Sequence, residues 1–204
     1  MFTPGASYRI TPATISLAPI FTRGASYQIS SEVVFALNGP PVIPLTARAI
    51  QQDALDQLIA LRPNTRNKKQ LAKLDEVAEH LTRSLDPNLW IDPSHLDPIE
   101  GERVFEENKL AINILRELLR RGDDSVSDAM LLELIDRIAT ANRELALFSV
   151  GEALAARGAQ NDLAAATREI RSGDGDVFAT HYRGYIDDYQ EAWKTALAVS
   201  RKKD

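Results

Sequence analysis

The chain has 204 residues and a mass of 22.6 kDa, a size at which roughly 70% of the unfolded surface can be buried, so a core needs no disulfide or metal to staple it. Apolar residues are 44% and charged residues 26%, which argues against a disordered chain, and zero cysteines exclude disulfide scaffolds, thiolate metal sites and cysteine catalysis. A net charge of −5 and a pI near 5.3 argue against a general nucleic-acid binder. All 10 prolines lie at or before Pro98, so the chain has a proline-punctuated front and an uninterrupted back.

The front carries an internal repeat: residues 2–10 (FTPGASYRI) and 21–29 (FTRGASYQI) agree at seven of nine positions, 19 residues apart. Gly5 and Gly24 supply a turn, and the pairs Tyr8/Ile10 and Tyr27/Ile29 recur at period two, the pattern of a half-buried strand. Each copy precedes another β-prone stretch, Ala13 to Leu17 and Glu32 to Leu37. Residues 1–38 therefore read as about four short strands, and a structural duplication outweighs a ligand-binding β module. The breakers Asn38-Gly39-Pro40-Pro41 and Pro44 follow, which divides the chain into a β segment, 1–45, and an all-α part, 46–204.

Beyond that boundary the apolar period becomes three and four. Thr46 is placed to cap a helix over 47–61, with Ile50, Leu55, Leu58 and Ile59 near one face, ended by Pro63 and Asn64. A second helix, 66–85, carries Leu71, Leu74, Ala78, Leu81 and Leu85. Pro87, Pro93 and Pro98 prevent a long helix through 86–98. A third, 100–121, carries Val104, Phe105, Ile112, Leu115, Leu118 and Leu119 and stops at Gly122. Ser125 and Asp128 resemble a capping box for a long fourth helix, 126–157, with Leu131, Leu134, Ile135, Ile138, Leu145 and Phe148 inside and Gly158 after it. A short fifth helix, 161–171, then a turn at Gly173 and Gly175, and a sixth helix, 176–200, complete the count. The fold class is mainly α, a bundle of five to six helices preceded by a small β segment.

Candidate chemistry concentrates in the loop 85–98, which mixes Trp90 with Asp86, Asp92, His95 and Asp97. Aspartate oxygens in a stiff loop can hold calcium. The structural alternative is a lid in which Trp90 and Leu96 plug the bundle end, and it outweighs calcium. Gly173-Asp174-Gly175-Asp176 fails the EF-hand test, because the fifth and twelfth positions from Asp174 are Phe178 and Tyr185. Its expected role is to end the fifth helix and cap the sixth through Asp176. The sixth helix places Phe178, Tyr182, Tyr185, Tyr189 and Trp193 on one face, a stripe that stacks sugars in some proteins and fills cores in most. His80, His95 and His181 each stand alone, without metal-ligand spacing, and no phosphate loop or serine elbow occurs. Arg62, Arg66, Lys68, Lys69 and Lys73 form a basic run without an intervening acid, while residues 86–107 hold seven acids against Arg103. The expectation is a solvated helix start that faces the acidic loop, without nucleic acid.

Three stretches carry a resemblance. SLDPNLWIDPSHL at 84–96, then Gly101, Val104-Phe105 and Glu107, then the apolar helix Leu110 to Leu119, resembles a small helical module near the C-termini of large modular secreted and cell-surface proteins of bacteria and archaea. Arg143-Glu144-Leu145-Ala146, Gly173-Asp174 and YQEAWKTA at 189–196 are similar to that module's ending. The resemblance implies an exported, multi-domain parent and a non-catalytic role with neighbouring domains or another protein as partners. No membrane span and no leader are visible, so a cytosolic chain and a fragment with an upstream export signal both stay open.

The first expectation is a structural or interaction module without cofactor, in which Trp90 is buried and no cleft gathers His95, Asp92 and another titratable group. The alternative is a calcium- or carbohydrate-binding module using Asp86, Trp90, Asp92, His95 and Asp97 or the aromatic stripe. A hydrolase comes third.

Overall fold

The computed structural model describes residues 46–122, 126–156, 160–178 and 184–201, all within the unit Ile43–Asp204. The β segment and its repeat, residues 1–45, lie outside the described residues, as do Ser125, Gly158, His181 and Tyr182. Six helices are present among the described residues: α1 Ala47–Leu61, α2 Lys68–Ser84, α3 Glu102–Arg121, α4 Asp128–Ala155, α5 Gln160–Phe178 and α6 Tyr185–Arg201. Between α2 and α3 lies a hairpin of β1 Trp90–Asp92 and β2 His95–Leu96, antiparallel and irregular in register between Trp90 and Asp92. Among the described residues no helix is long and apolar enough to cross a membrane.

Local chemistry sets the helix ends. Thr46 Oγ1 accepts from the Ala49 amide at 3.3 Å, and Asn67 Oδ1 accepts from the Lys69 amide at 3.0 Å. Gly122 closes α3 in the left-handed region, at φ 60°, where a side chain would be strained. The cap of α4 is Ser127, which accepts from Met130, so the helix starts two residues beyond the sequence expectation.

The centre of the bundle is α4, which packs against α1, α3, α5 and α6. Leu131, Leu134, Ile135, Ile138 and Leu145 are buried, and Ala139, Ala141, Ala146 and Ala153 let neighbours approach. In α1 the buried face runs through Ala47, Gln51, Ala54, Leu55, Leu58 and Leu61. Ile59 is therefore 46% exposed while Gln51 is fully buried. Phase follows the majority of the stripe and overrides the preference of one residue. Where α3 meets α4, Asn108 Nδ2 donates to Asn142 Oδ1 at 3.1 Å inside the apolar core, and Asn142 Nδ2 donates to the Ile138 carbonyl at 2.6 Å.

The expected turn at Gly173 and Gly175 is corrected. α5 runs unbroken through both, and α6 begins nine residues later than expected, at Tyr185. The glycine at 173 answers a need for space. A Cβ there would lie 2.7 Å from Cε1 of Tyr189, so its absence lets α6 lie close against α5. Asp174 consequently does not help end a helix. It accepts from Arg143 Nε at 2.6 Å and Nη2 at 2.9 Å, and from the Tyr189 hydroxyl at 2.9 Å, joining α4, α5 and α6. The Arg143 bond holds the Asp174 carboxyl below its ordinary pKa, while burial, reinforced by Asp174, pushes the Tyr189 phenol up.

The expectation that the basic run faces the acidic loop is also corrected. Arg62 pairs with Asp75 at 2.5 Å and Lys73 with Glu76 at 2.8 Å, and the loop leaves from the far end of α2.

The two α5 glycines separate by substitution. Gly173→Ala is expected to destabilise the protein by about 1–3 kcal/mol through overpacking against Tyr189. Gly175→Ala meets open space and is expected to stabilise by about 0.5–1 kcal/mol through helix propensity. Urea unfolding of both variants checks the sign of each.

Candidate functional site

Each aspartate of the 85–98 loop turns an oxygen back on its own backbone. Asp86 Oδ1 accepts from the Asn88 amide at 2.9 Å and from Asn88 Nδ2 at 3.0 Å, capping the short turn Pro87–Leu89. Asp92 Oδ1 accepts from the Ser94 amide at 2.7 Å and the His95 amide at 2.9 Å, which folds the hairpin tip. Asp97 Oδ1 accepts from Ile99 at 2.8 Å and Glu100 at 2.9 Å, ahead of α3. These are the side-chain turns that aspartate favours next to proline. Their backbone bonds hold the Asp92 and Asp97 carboxyls below the ordinary value. Among the described residues no three His, Asp or Glu side chains are grouped as metal ligands would be.

Trp90 is the anchor of the loop. It is 6% exposed, and its Nε1 donates to the Ser84 carbonyl at 2.9 Å. The Arg48 guanidinium sits 5.6 Å from the ring centroid and donates to the Leu85 carbonyl at 3.2 Å, so α1 and the end of α2 share one cation. Leu89 and Leu96 are buried with Trp90. Gly101 allows the loop to close, because a Cβ there would meet the Asp97 carbonyl oxygen at 2.4 Å.

His95 is where the structure departs from expectation. Its Nδ1 lies 2.6 Å from Asp92 Oδ2 and its Nε2 lies 2.8 Å from Glu152 Oε1 of α4. The structure thus does gather His95, Asp92 and another titratable group, Glu152, which the expectation of a bare module excluded. The ring also meets Phe148 edge-on, centroids 4.7 Å apart. Glu152 stands 57 residues from His95, so no local spacing marks the pair. A neutral imidazole has one donor and one acceptor, whereas two carboxylates need two donors. The site therefore favours the imidazolium: the Glu152 bond first and the Asp92 bond after it raise the His95 pKa, against partial burial. With both nitrogens held, the ring has no lone pair for a substrate proton. Ser149 and Ser200 line the groove of about 150 Å³ beside it, but neither is hydrogen-bonded to the imidazole, and Ser200 donates to the Ala196 carbonyl.

The aromatic stripe is core where it is described. Tyr185, Tyr189 and Trp193 are buried, with Trp193 packed 5.7 Å from Phe105. The side chain of Phe178 and all of Tyr182 lie outside the described residues. A sugar platform needs an open ring face, which these three lack.

Comparison of the chain with protein-family models, with curated proteins and with solved structures finds no match.

The His95 latch has a definite pH sign. Its pKa is raised from 6.5, so its contribution to folding is complete below 6.5 and is lost as pH rises through the folded value. Asp92 is lowered from 3.8, so its contribution is complete above 3.8 and is lost as pH falls through its folded value. The latch is strongest between 3.8 and 6.5. His95→Gln is expected to narrow the stability gap between ~pH 6 and ~pH 9 seen in the parent protein, read as the urea midpoint at each pH. An equal gap in both proteins would show that the latch does not titrate.

Proposed function

We propose that residues 46–204 form a non-catalytic helical module that acts as a spacer or interaction domain. The observation that carries this reading is the internal use of the loop's polar groups. Each aspartate accepts from its own backbone, and both His95 nitrogens are held by carboxylates. Such a loop closes the end of a bundle and commits these groups to holding its own shape. The buried tyrosines and Trp193 support the same conclusion. An exported, multi-domain surface protein as the setting rests on the sequence resemblance alone, with neighbouring domains or another protein as partners.

The competing calcium reading has a direct test. A cation that binds only the folded state at 100 times its Kd adds about 2.7 kcal/mol of stability, a shift of several degrees in Tm. The module is expected to melt at the same temperature in excess calcium and in excess chelator. A Tm that climbs with calcium concentration would replace the module reading with a calcium-binding one.

A further inference from the structure

α2 and α3 are antiparallel, with Lys73 beside Glu117 at one end and His80 beside Glu107 at the other. This packing brings the basic run that precedes and opens α2 to the same end as the last turns of α3. Arg62, Arg66, Lys68, Lys69 and Lys73 meet Arg116, Arg120 and Arg121 there. The acids of that end are Asp75, Glu76, Glu117 and, at the start of α4, Asp128, and Asp123 and Asp124 stand between Gly122 and α4 in sequence. Eight cations against six acids still make a positive end on a chain of net charge −5. Asp75, Glu76 and Glu117 are engaged with Arg62, Lys73 and Arg121. Arg66, Lys68, Lys69 and Arg120 are exposed and make no ion pair among the described residues.

Two of these charges stand against local preference. Lys68 and Lys69 occupy the first turn of α2, which holds no acid. The positive end of the helix dipole disfavours cations there. Both side chains are exposed to solvent, where they gain nothing from the helix they open. One turn further along α2, between it and α3, runs a groove of about 510 Å³ that begins at Lys73. Leu110 and Ile114 line it together with Lys73, Arg116 and Arg120 and with the paired acids Glu76 and Glu117, and no Phe, Tyr or Trp does. Leu110 is 47% exposed in this charged setting.

We propose that this basic end is a docking surface for an acidic segment of a partner protein, one that carries an apolar residue among its carboxylates. Carboxylates complement Arg66, Lys68, Lys69 and Arg120, and arginine can bind them through two parallel bonds. The apolar side chain covers Leu110, which a phosphate backbone cannot do. Single-stranded nucleic acid is bound largely by stacking on aromatic rings, and this groove has none to offer. The proposal rests on the chain being an interaction module, but the calcium melt tests that premise separately, so the two can fail independently.

The test is fluorescence anisotropy on the full chain at low salt with three labelled probes: an oligoglutamate peptide containing one central leucine, the same peptide with glutamate in its place, and an oligonucleotide of equal charge. The leucine peptide is expected to bind, and to weaken as salt screens the charges. It is expected to bind about tenfold more tightly than the all-glutamate peptide, the discrimination that covering a small apolar patch provides. Lys68→Glu, Lys69→Glu and Arg120→Glu combined are exposed substitutions away from the core, and circular dichroism verifies the fold. They are expected to cost at least about tenfold in affinity. Absence of peptide binding, binding that survives the charge reversal, equal affinity for the two peptides, or tighter binding of the oligonucleotide would each overturn the proposal.

Discussion

Asp174 is the point on which half of the bundle turns. One carboxylate takes two bonds from Arg143 on α4 and a third from the Tyr189 hydroxyl on α6, while itself standing on α5. A partly buried carboxylate is costly to desolvate, and three donors in good geometry offset that cost. The geometry in turn requires α5 and α6 to lie close, which Gly173 permits by offering no Cβ to the Tyr189 ring. Arg143, Gly173, Asp174 and Tyr189 thus form one contact. They fix the three helices that enclose Leu145, Ala146, Ile186 and Trp193.

The other half is closed by the hairpin loop. Trp90 fills the end of the core, and its indole N–H finds the Ser84 carbonyl that α2 leaves unpaired as it ends. Arg48 reaches the same corner from α1. His95 ties the hairpin to α4, and Arg201 at the end of α6 donates to the Pro98 carbonyl at 2.8 Å. One short loop therefore contacts the first, second, fourth and last helices. Aspartate both binds cations and folds tight turns, and each of the three here folds a turn.

Helices were legible because apolar period is a local property. The stripes of α3 and α4 match the buried residues except at Leu119, which is partly buried, and at Phe148, expected inside but 43% exposed where its ring meets His95. Glycine was not legible at 173, because the same residue serves a sharp turn and a close helix crossing, and only the position of Tyr189 distinguishes them. The His95 site was half legible. Asp92 lies within the loop, but Glu152 comes from another helix and is paired by tertiary packing alone. Gln51 shows the same limit inside α1, where its burial is imposed by the phase of Leu55 and Leu58.

The amide pair between α3 and α4 decides how these helices align. Leucine and isoleucine stripes tolerate a slide of one turn with little change in the apolar area they cover. The Asn108 and Asn142 amides do not, because a slide leaves the buried Asn108 Nδ2 and Asn142 Oδ1 without each other, at about 1–3 kcal/mol each, while Asn142 Nδ2 keeps its Ile138 carbonyl. A single polar contact thus gives an otherwise slippery interface one allowed registration, at the expense of some of the stability that two leucines would supply.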